Sequence, residues 1–485
     1  MLSREENELL TQTGPGTSMG ELLRRFWLPA LLSDELPAPD CAPVRVRLLS
    51  EDLVAFRDTN GRLGLISAYC AHRRAHLFFG RNEECGLRCI YHGWKYDADG
   101  KCVDLPTEPP ESGFKEKVNL TAYPLREAGG VIWAYMGPKE RMPDLPRLPI
   151  TQVPPDHKFV IKRLQESNYF QALEGGIDSA HTRFLHGRLD AYHNTANFQK
   201  ANEALRKRYN ENPDSLSPRE LDILFRMADK MPRVMAQRTH YGLAIGARGT
   251  ISEQNYYWRI NQFLMPFYTM PPRDPGGHAF VPIDDENCWV WTFRVTMNRP
   301  LTNDEVYAMR TGQTDGRFGA PVDKEYKPLA NKANDFQLDR ELQRTFNFTG
   351  IIGTGNQDMA AQVSMGPITD RTEEMLGVTD VGIIEMRKLL LNAANDLCEG
   401  KEPAQALNPD FYDGVRGVSL IREKKVPFED CVKDALSEIE RTKQRFRELK
   451  SLEEVTTKHA LSKVEGGTRI TRGGFQTRPD SDSEC

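Results

Sequence analysis

Nine cysteines and ten histidines are spread over 485 residues, and two short stretches concentrate them. Cys70-Ala71-His72 is followed, after sixteen residues, by Cys89-Ile90-Tyr91-His92. Each pair can turn a thiolate and an imidazole out of one tight loop, so two facing loops supply four metal ligands. A zinc finger would group cysteine with cysteine and histidine with histidine, whereas here each loop is mixed. The odd cysteine count argues against a disulfide framework. About ninety residues further on stand Asp178, His181 and His186. At about 100° per residue, Asp178 and His181 share one face of a helix, while His181 and His186 are about 140° apart. Both histidines reach one ion only if the helix loosens, bulges or ends between them. Gly175 and Gly176 already weaken it. Two histidines need a distant carboxylate to complete a facial triad with open positions. Spacing leaves that carboxylate open; Glu174 lies near the face of His181.

The mixed loops resemble the motif of a Rieske [2Fe–2S] domain, in which one iron takes two thiolates and the other two imidazoles. Gly93-Trp94-Lys95-Tyr96 and Pro106 strengthen the likeness. The segment from Asp178 to His186 is similar to the mononuclear-iron motif of Rieske non-haem iron aromatic-ring oxygenases. Met365-Gly366-Pro367-Ile368-Thr369-Asp370-Arg371 resembles the phthalate-dioxygenase-like branch of their oxygenase (alpha) components. The resemblance covers most of residues 10–400. It implies a cluster on Cys70, His72, Cys89 and His92, and a mononuclear Fe(II) on His181, His186 and a carboxylate far downstream. In that family this carboxylate opens a helix after a glycine-containing turn, and Gly353 to Ala360 fits, so Asp358 is the expected ligand. Glu174, Asp370 and Asp380 are then solvated or capping carboxylates. Asp178 is expected to bridge a cluster histidine of one subunit to an iron-binding histidine of the next, since one carboxylate can accept two N–H bonds. That implies a homotrimer or a multiple of it. Trp94 is read as a lid over the cluster, and Arg73 and Arg74 as shields bonding loop carbonyls. His76 is a packing or surface residue and Cys85 a buried thiol.

The elements that must position these residues suggest an α+β chain. Residues 1–30 form a helical segment packing on the catalytic domain, with an amphipathic helix from Thr17 to Leu28 ending at Pro29. The resemblance implies an all-β Rieske domain over 31–140, in which short strands are expected at Val44–Leu48 and Val54–Phe56 between Gly and Asp turns. The proline-rich stretch Pro138–Pro155 reads as a linker. A catalytic domain over 141–450 carries an antiparallel sheet covered by helices. Tyr256–Ile260 and Trp289–Val295 are strands, the latter with one packed face. Charged helices are expected near 200–230, 380–400 and 430–450, and a flexible tail over 451–485. No internal repeat is evident.

Sixty-nine acidic against 64 basic side chains give a formal charge of −5, so no broad basic field exists to collect phosphates. No apolar run approaches the roughly 20 residues that span a bilayer. The polar, acidic N-terminus does not read as a secretory signal, and the expected location is the cytoplasm. Gly353-Thr354-Gly355 is too short for a dinucleotide loop. Electrons from NADH or NADPH must therefore arrive through a partner, expected as a flavin and iron–sulfur reductase. The resemblance implies a terminal oxygenase that uses O2 to hydroxylate, or oxidatively O-demethylate, a bulky aromatic acid such as a biaryl or methoxybenzoate. An aromatic acid asks for an apolar slot and an arginine fork; Arg183, Arg188, Arg238 and Arg248 are the possible clamps. Phthalate dioxygenase proper, a Rieske electron carrier without oxygenase activity and a zinc scaffold are the alternatives.

Overall fold

The computed structural model describes residues 2–187, 189, 196–212, 215–216, 220, 232–272, 276–311 and 321–466. Its architecture is the expected α+β arrangement. The large antiparallel sheet begins with strand Lys158–Gln165 and continues through Cys288–Val295, Gly276–Pro282, Tyr268–Met270, Asn255–Leu264, Gly242–Thr250 and Arg233–Arg238. Val418–Glu423 also pairs with Asn255–Leu264. The strands expected at Tyr256–Ile260 and Trp289–Val295 are parts of this sheet. Their aromatic and β-branched residues suit a pleated, packed surface. The single packed face expected at Trp289–Val295 is corrected, because Val290 and Thr292 are buried along with Trp291 and Phe293. One face sets Trp289 and Trp291 under the Lys162 ammonium, 4.8 and 5.6 Å from the ring centres. The other gives Val290 to a cavity beside the histidines.

Helix Tyr169–Ile177 lies against this sheet, and Thr354–Ser364 packs on that helix. Asn168 starts the first of them by accepting from the Phe170 N–H, which satisfies a donor the helix leaves open. Helices Arg4–Thr11 and Ser18–Arg24 rest on Val381–Cys398. Tyr169 and Asn168 donate to the carbonyls of Leu10 and Thr11. The helix expected to reach Leu28 stops at Arg24, and Trp27–Leu32 is a strand paired with Val131–Tyr135. All six of its residues are buried, so pairing and burial override helical propensity. Pro29 is accommodated beside a register shift.

The smaller half contains strands Val44–Leu48, Glu51–Arg57 and Leu63–Ser67, and a four-stranded sheet of Arg81–Glu83, Gly86–Arg88, Lys95–Tyr96 and Cys102–Asp104. Glu51–Arg57 is a shared wall. Val54 and Phe56 face a small core around Cys70, Cys89 and Trp94, whereas Leu53 and Ala55 belong to the main core. The period-two alternation of a strand makes this possible. The stretch Pro138–Pro155 is no free linker, because Leu148, Ile150 and Val153 between its prolines are buried in the main core.

The expected helices near 380–400 and 430–450 are Val381–Cys398 and Phe428–Gly466, and the latter continues through residues 451–466. Ala196–Glu211 is the described part of the helical region near 200–230. Arg188 and the tail beyond residue 466 lie outside the described residues.

Candidate functional site

The two cysteine–histidine loops are closed by the same pair of backbone hydrogen bonds. Cys70 N–H donates to Ala75 O (2.9 Å) and Arg74 N–H to Cys70 O (3.0 Å); Cys89 N–H donates to Trp94 O (2.8 Å) and Gly93 N–H to Cys89 O (3.1 Å). The closing residue is left-handed in both, with φ of 63° at Arg74 and 75° at Gly93. Glycine adopts this at little cost. At Arg74 the guanidinium stacks on Tyr69, 4.5 Å from the ring centre, which helps hold it there. The loops bury the thiols and turn the imidazoles outward. Cys70 and Cys89 are 2% and 4% exposed, while His72 is exposed and His92 half-buried, their ring centres 4.4 Å apart. Trp94 lies flat on His72, ring centres 4.5 Å apart, and its indole N–H donates to Thr107. Thiols inside and imidazoles outside suit a two-iron cluster in which one iron takes two thiolates and the other two imidazoles.

Several neighbours differ from expectation. Arg73 and Arg74 stack on Tyr91 and Tyr69 rather than bonding carbonyls. The arginine that bonds a loop carbonyl is Arg88, donating to Gly93 O at 2.8 Å and to Asp104. It escaped notice because it lies in the strand before Cys89, not in a loop. The sequence marks Tyr96 only as part of a motif. Its oxygen accepts from Ala71 N–H and stands 3.2 Å from Cys70 Sγ, within hydrogen-bond reach of the sulfur, to which it would donate once the sulfur is a thiolate. His76 packs half-buried, accepting from Phe78 N–H. Cys85 is half-buried rather than buried, and disulfide-bonded rather than a thiol, on a hairpin turn with Glu84 where both residues have positive φ.

Helix Tyr169–Ile177 ends earlier than expected. Asp178 is already extended, and His181–Arg183 is a separate 3-10 turn, so Asp178 and His181 do not meet on a helical face. Instead the Asp178 carboxylate caps the turn, accepting from Ala180 N–H (2.6 Å), His181 N–H (3.2 Å) and His181 Nδ1–H (3.2 Å). Burial opposes its charge, yet these donors outweigh burial and hold the carboxyl below its ordinary range. His186 Nδ1–H donates to Gln357 Oε1 at 2.7 Å, and the Gln357 amide N–H donates to Ile351 O, which fixes the amide's orientation. Sequence reasoning gave Gln357 no role; only its position next to Asp358 could have drawn attention.

With both Nδ1 atoms committed as donors, each ring presents its Nε2 lone pair. Both face Asp358 Oδ1, His186 at 3.2 Å and His181 at 3.6 Å. Asp358 sits one turn inside helix Thr354–Ser364, after Gly353 with φ of 91°. Its Oδ1 is sealed from solvent and takes no hydrogen bond among the described residues. Three mutually facing acceptors without a donor are what a bound cation would resolve. Among the described residues this is the one group of three or more such ligand atoms within 4.8 Å of one another. The cysteine–histidine quartet is more spread out, which suits two irons better than one tetrahedral ion.

Glu174, expected as a solvated carboxylate, is buried. Arg371 holds it through Nε and Nη2, and Arg387 donates to it at 2.7 Å, so its charge is taken by two guanidiniums. Asp370 and Asp380 cap turns, accepting from Thr372 N–H and Gly377 N–H.

A cavity opens on the His181–His186–Asp358 group, walled by Ala172, Phe280 and Val290 and by the polar side chains Gln165, Asn261 and Gln362. The expected clamps Arg183, Arg238 and Arg248 do not line it. Arg183 follows His181 by two positions on the 3-10 turn, which points it elsewhere. Arg238 is exposed at the end of an outer strand, and Arg248 stacks on Tyr256. The arginines that do line it are Arg163 and Arg259, both on strands of the large sheet.

Residues 26–124 match the family model described as Rieske [2Fe-2S] domain, and residues 134–426 match LigXa C-terminal domain like. The phthalate 4,5-dioxygenase oxygenase subunit of Pseudomonas putida is 40% identical over 407 residues, 81% of this chain and 86% of that protein. The 3-chlorobenzoate-3,4-dioxygenase oxygenase subunit of Comamonas testosteroni is 36% identical, covering 88% and 97%. The 5,5'-dehydrodivanillate O-demethylase oxygenase subunit of a Sphingobium species is 32% identical, covering 83% of each chain.

Proposed function

The chain belongs to the Rieske non-haem iron oxygenases, as an oxygenase (alpha) component, and on that premise we propose that its substrate is an aromatic carboxylate. Ring hydroxylation and oxidative O-demethylation are the two reactions in view. Relatives named for phthalate, 3-chlorobenzoate and dehydrodivanillate support an aromatic acid. The observation that carries the reading is the group of facing acceptors from His181, His186 and Asp358 opening on a cavity, in a chain that also has a Rieske domain.

Cys70, His72, Cys89 and His92 are the residues that would hold the [2Fe–2S] cluster, and His181, His186 and Asp358 the mononuclear iron. When bound, these centres supply one-electron storage and the reduction of O2. The protein's own work is positioning. Asp178 and Gln357 fix the two imidazoles in the tautomer that turns Nε2 inward. Phe280, Val290 and Ala172 wall off one side of the cavity from water. Asp178 serves as the electron bridge. Its side chain is 20% exposed, which leaves room for an imidazole N–H from the cluster loops of a neighbouring copy. Such contacts close a head-to-tail ring, most simply a homotrimer. The exposed His72 edge is where a flavin and iron–sulfur reductase delivers electrons, and we place the reaction in the cytoplasm, where reduced nicotinamide feeds that reductase.

Oxygen uptake with a reductase and a panel of aromatic acids tests this. Uptake that depends on an acid is expected, and isotopically labelled O2 counts the atoms incorporated. Fully metallated protein that consumes no O2 with any acid removes the proposal.

A further inference from the structure

The cavity beside the histidines contains a cation that the protein leaves uncommitted. Arg163 lies on strand Lys158–Gln165 opposite Val290, and shares its face with Gln165 two residues on. It is 8% exposed, and its Nε is sealed from solvent without a partner. Among the described residues its guanidinium makes no hydrogen bond and no ion pair; the Asp358 carboxylate influences it without coming within salt-bridge distance. The group is nevertheless seated. A Cβ added at Gly355 would lie 3.1 to 3.3 Å from Nη1, Cζ and Nη2, so the guanidinium rests on the glycine at the first turn of helix Thr354–Ser364. The same helix carries Asp358 one turn later.

Burying a guanidinium without an anion is strongly unfavourable. Asp358 relieves it only in part, because that carboxylate attracts the guanidinium without a hydrogen bond and also faces the two imidazoles and the metal they would share. Arg259 adds a second guanidinium to the lining. With a divalent cation held there, the ion and Arg163 outweigh the carboxylates of Asp178 and Asp358, so the cavity favours an anion. Its apolar wall of Ala172, Phe280 and Val290 lies alongside.

We infer that Arg163 is the specificity-determining residue that receives the substrate's carboxylate, with the aromatic ring against Phe280 and Val290. The inference rests on the aromatic-acid reading and names the residue that reading requires. Arginine's planar fork matches a carboxylate through two parallel N–H bonds, which a neutral amide cannot accept equally.

The test is calorimetric binding to anaerobic, iron-loaded protein of phthalate, benzoate and phenoxybenzoate, each against its primary amide. Iron content and the cluster spectrum are recorded for every variant. Wild type should prefer at least one acid over its amide by about ten- to a hundredfold. Arg163→Gln should abolish that preference while iron and cluster stay intact, and Arg163→Lys should restore part of it. A glutamine variant that keeps the preference overturns the inference. So does one whose acid binding falls only in step with iron content, since Arg163 would then merely position Asp358. If the glutamine variant does not assemble, the lysine variant decides: reduced preference supports the inference and full preference overturns it. Wild type that prefers no acid over its amide defeats the aromatic-acid reading itself, an outcome separable because it needs no variant.

Discussion

The two histidine pairs are built in opposite ways. His72 and His92 stand at the tips of short loops, outward of the buried sulfurs of Cys70 and Cys89. His181 and His186 turn inward, each anchored at Nδ1, and face a buried carboxylate oxygen. An outward imidazole places a redox centre near whatever docks on the surface, while an inward pair reserves space for small reactants and limits water. The assembly differs as well. The cluster loops are closed by their own backbone within six residues each, but the second site draws residues 178–186 and 354–358 together from distant parts of the chain.

If the pairs are separable in function, the largest effects should be all-or-none and one-sided. Asp358→Ala or His181→Ala should abolish oxygenation and leave the cluster's EPR signal unchanged, since the triad has no spare protein ligand. Cys89→Ala should do the reverse, removing the EPR signal while iron remains at the second site. A variant that loses both signals would break the comparison.

Asp178→Asn should spare both metal centres and slow cluster reoxidation by O2 and substrate by roughly 100-fold, the upper range for changing a group that orients a metal-binding histidine. An amide offers one acceptor oxygen where the carboxylate offers two. Stopped-flow reoxidation at the wild-type rate, in fully metallated protein, would reduce Asp178 to a turn cap. A monomeric active protein would remove the route between subunits.

Gln357→Ala frees the His186 ring, and iron affinity should fall about tenfold. Gln357→Glu should recover most of it, because a carboxylate still accepts from Nδ1–H. Chelator competition measures both, and an unchanged affinity in the alanine variant would mean that packing alone orients the ring. The smallest effect belongs to the outward pair. Tyr96→Phe removes the hydrogen bond to Cys70 Sγ, which favours the more negatively charged reduced cluster, so the reduction potential should shift negative. Redox titration reads that shift, while acid binding at the other site stays constant.

The same contrast explains what could be read from sequence. The cluster loops are local, and Cys-x-His with Cys-x-x-His encodes them almost completely. At the second site, spacing indicated Asp178, His181 and His186, but Asp358 came from family resemblance because nothing local links it to residues so far away. Arg163 was invisible for the same reason: its neighbours Gly355 and Val290 are set by sheet pairing and helix docking. Arg183, Arg238 and Arg248 stand out in the sequence only through proximity along the chain or residue type. Glu174 was misread as solvated because its partners Arg371 and Arg387 lie about two hundred residues downstream. At Trp27–Leu32 a helical pattern yielded to strand pairing. Prolines disguised Leu148 and Ile150 as linker, although an apolar residue between prolines packs as readily as any other.

Strand Glu51–Arg57 gives one face to the cluster core and the other to the main core. Peeling that strand away would open both cores together, so neither half can melt and leave the other its full packing. The protein should therefore lose its cluster chromophore and its sheet in one cooperative thermal transition, with visible absorbance and far-ultraviolet circular dichroism giving coincident curves. Phe56→Ala, by opening a hole on the cluster side alone, should lower both midpoints by the same amount.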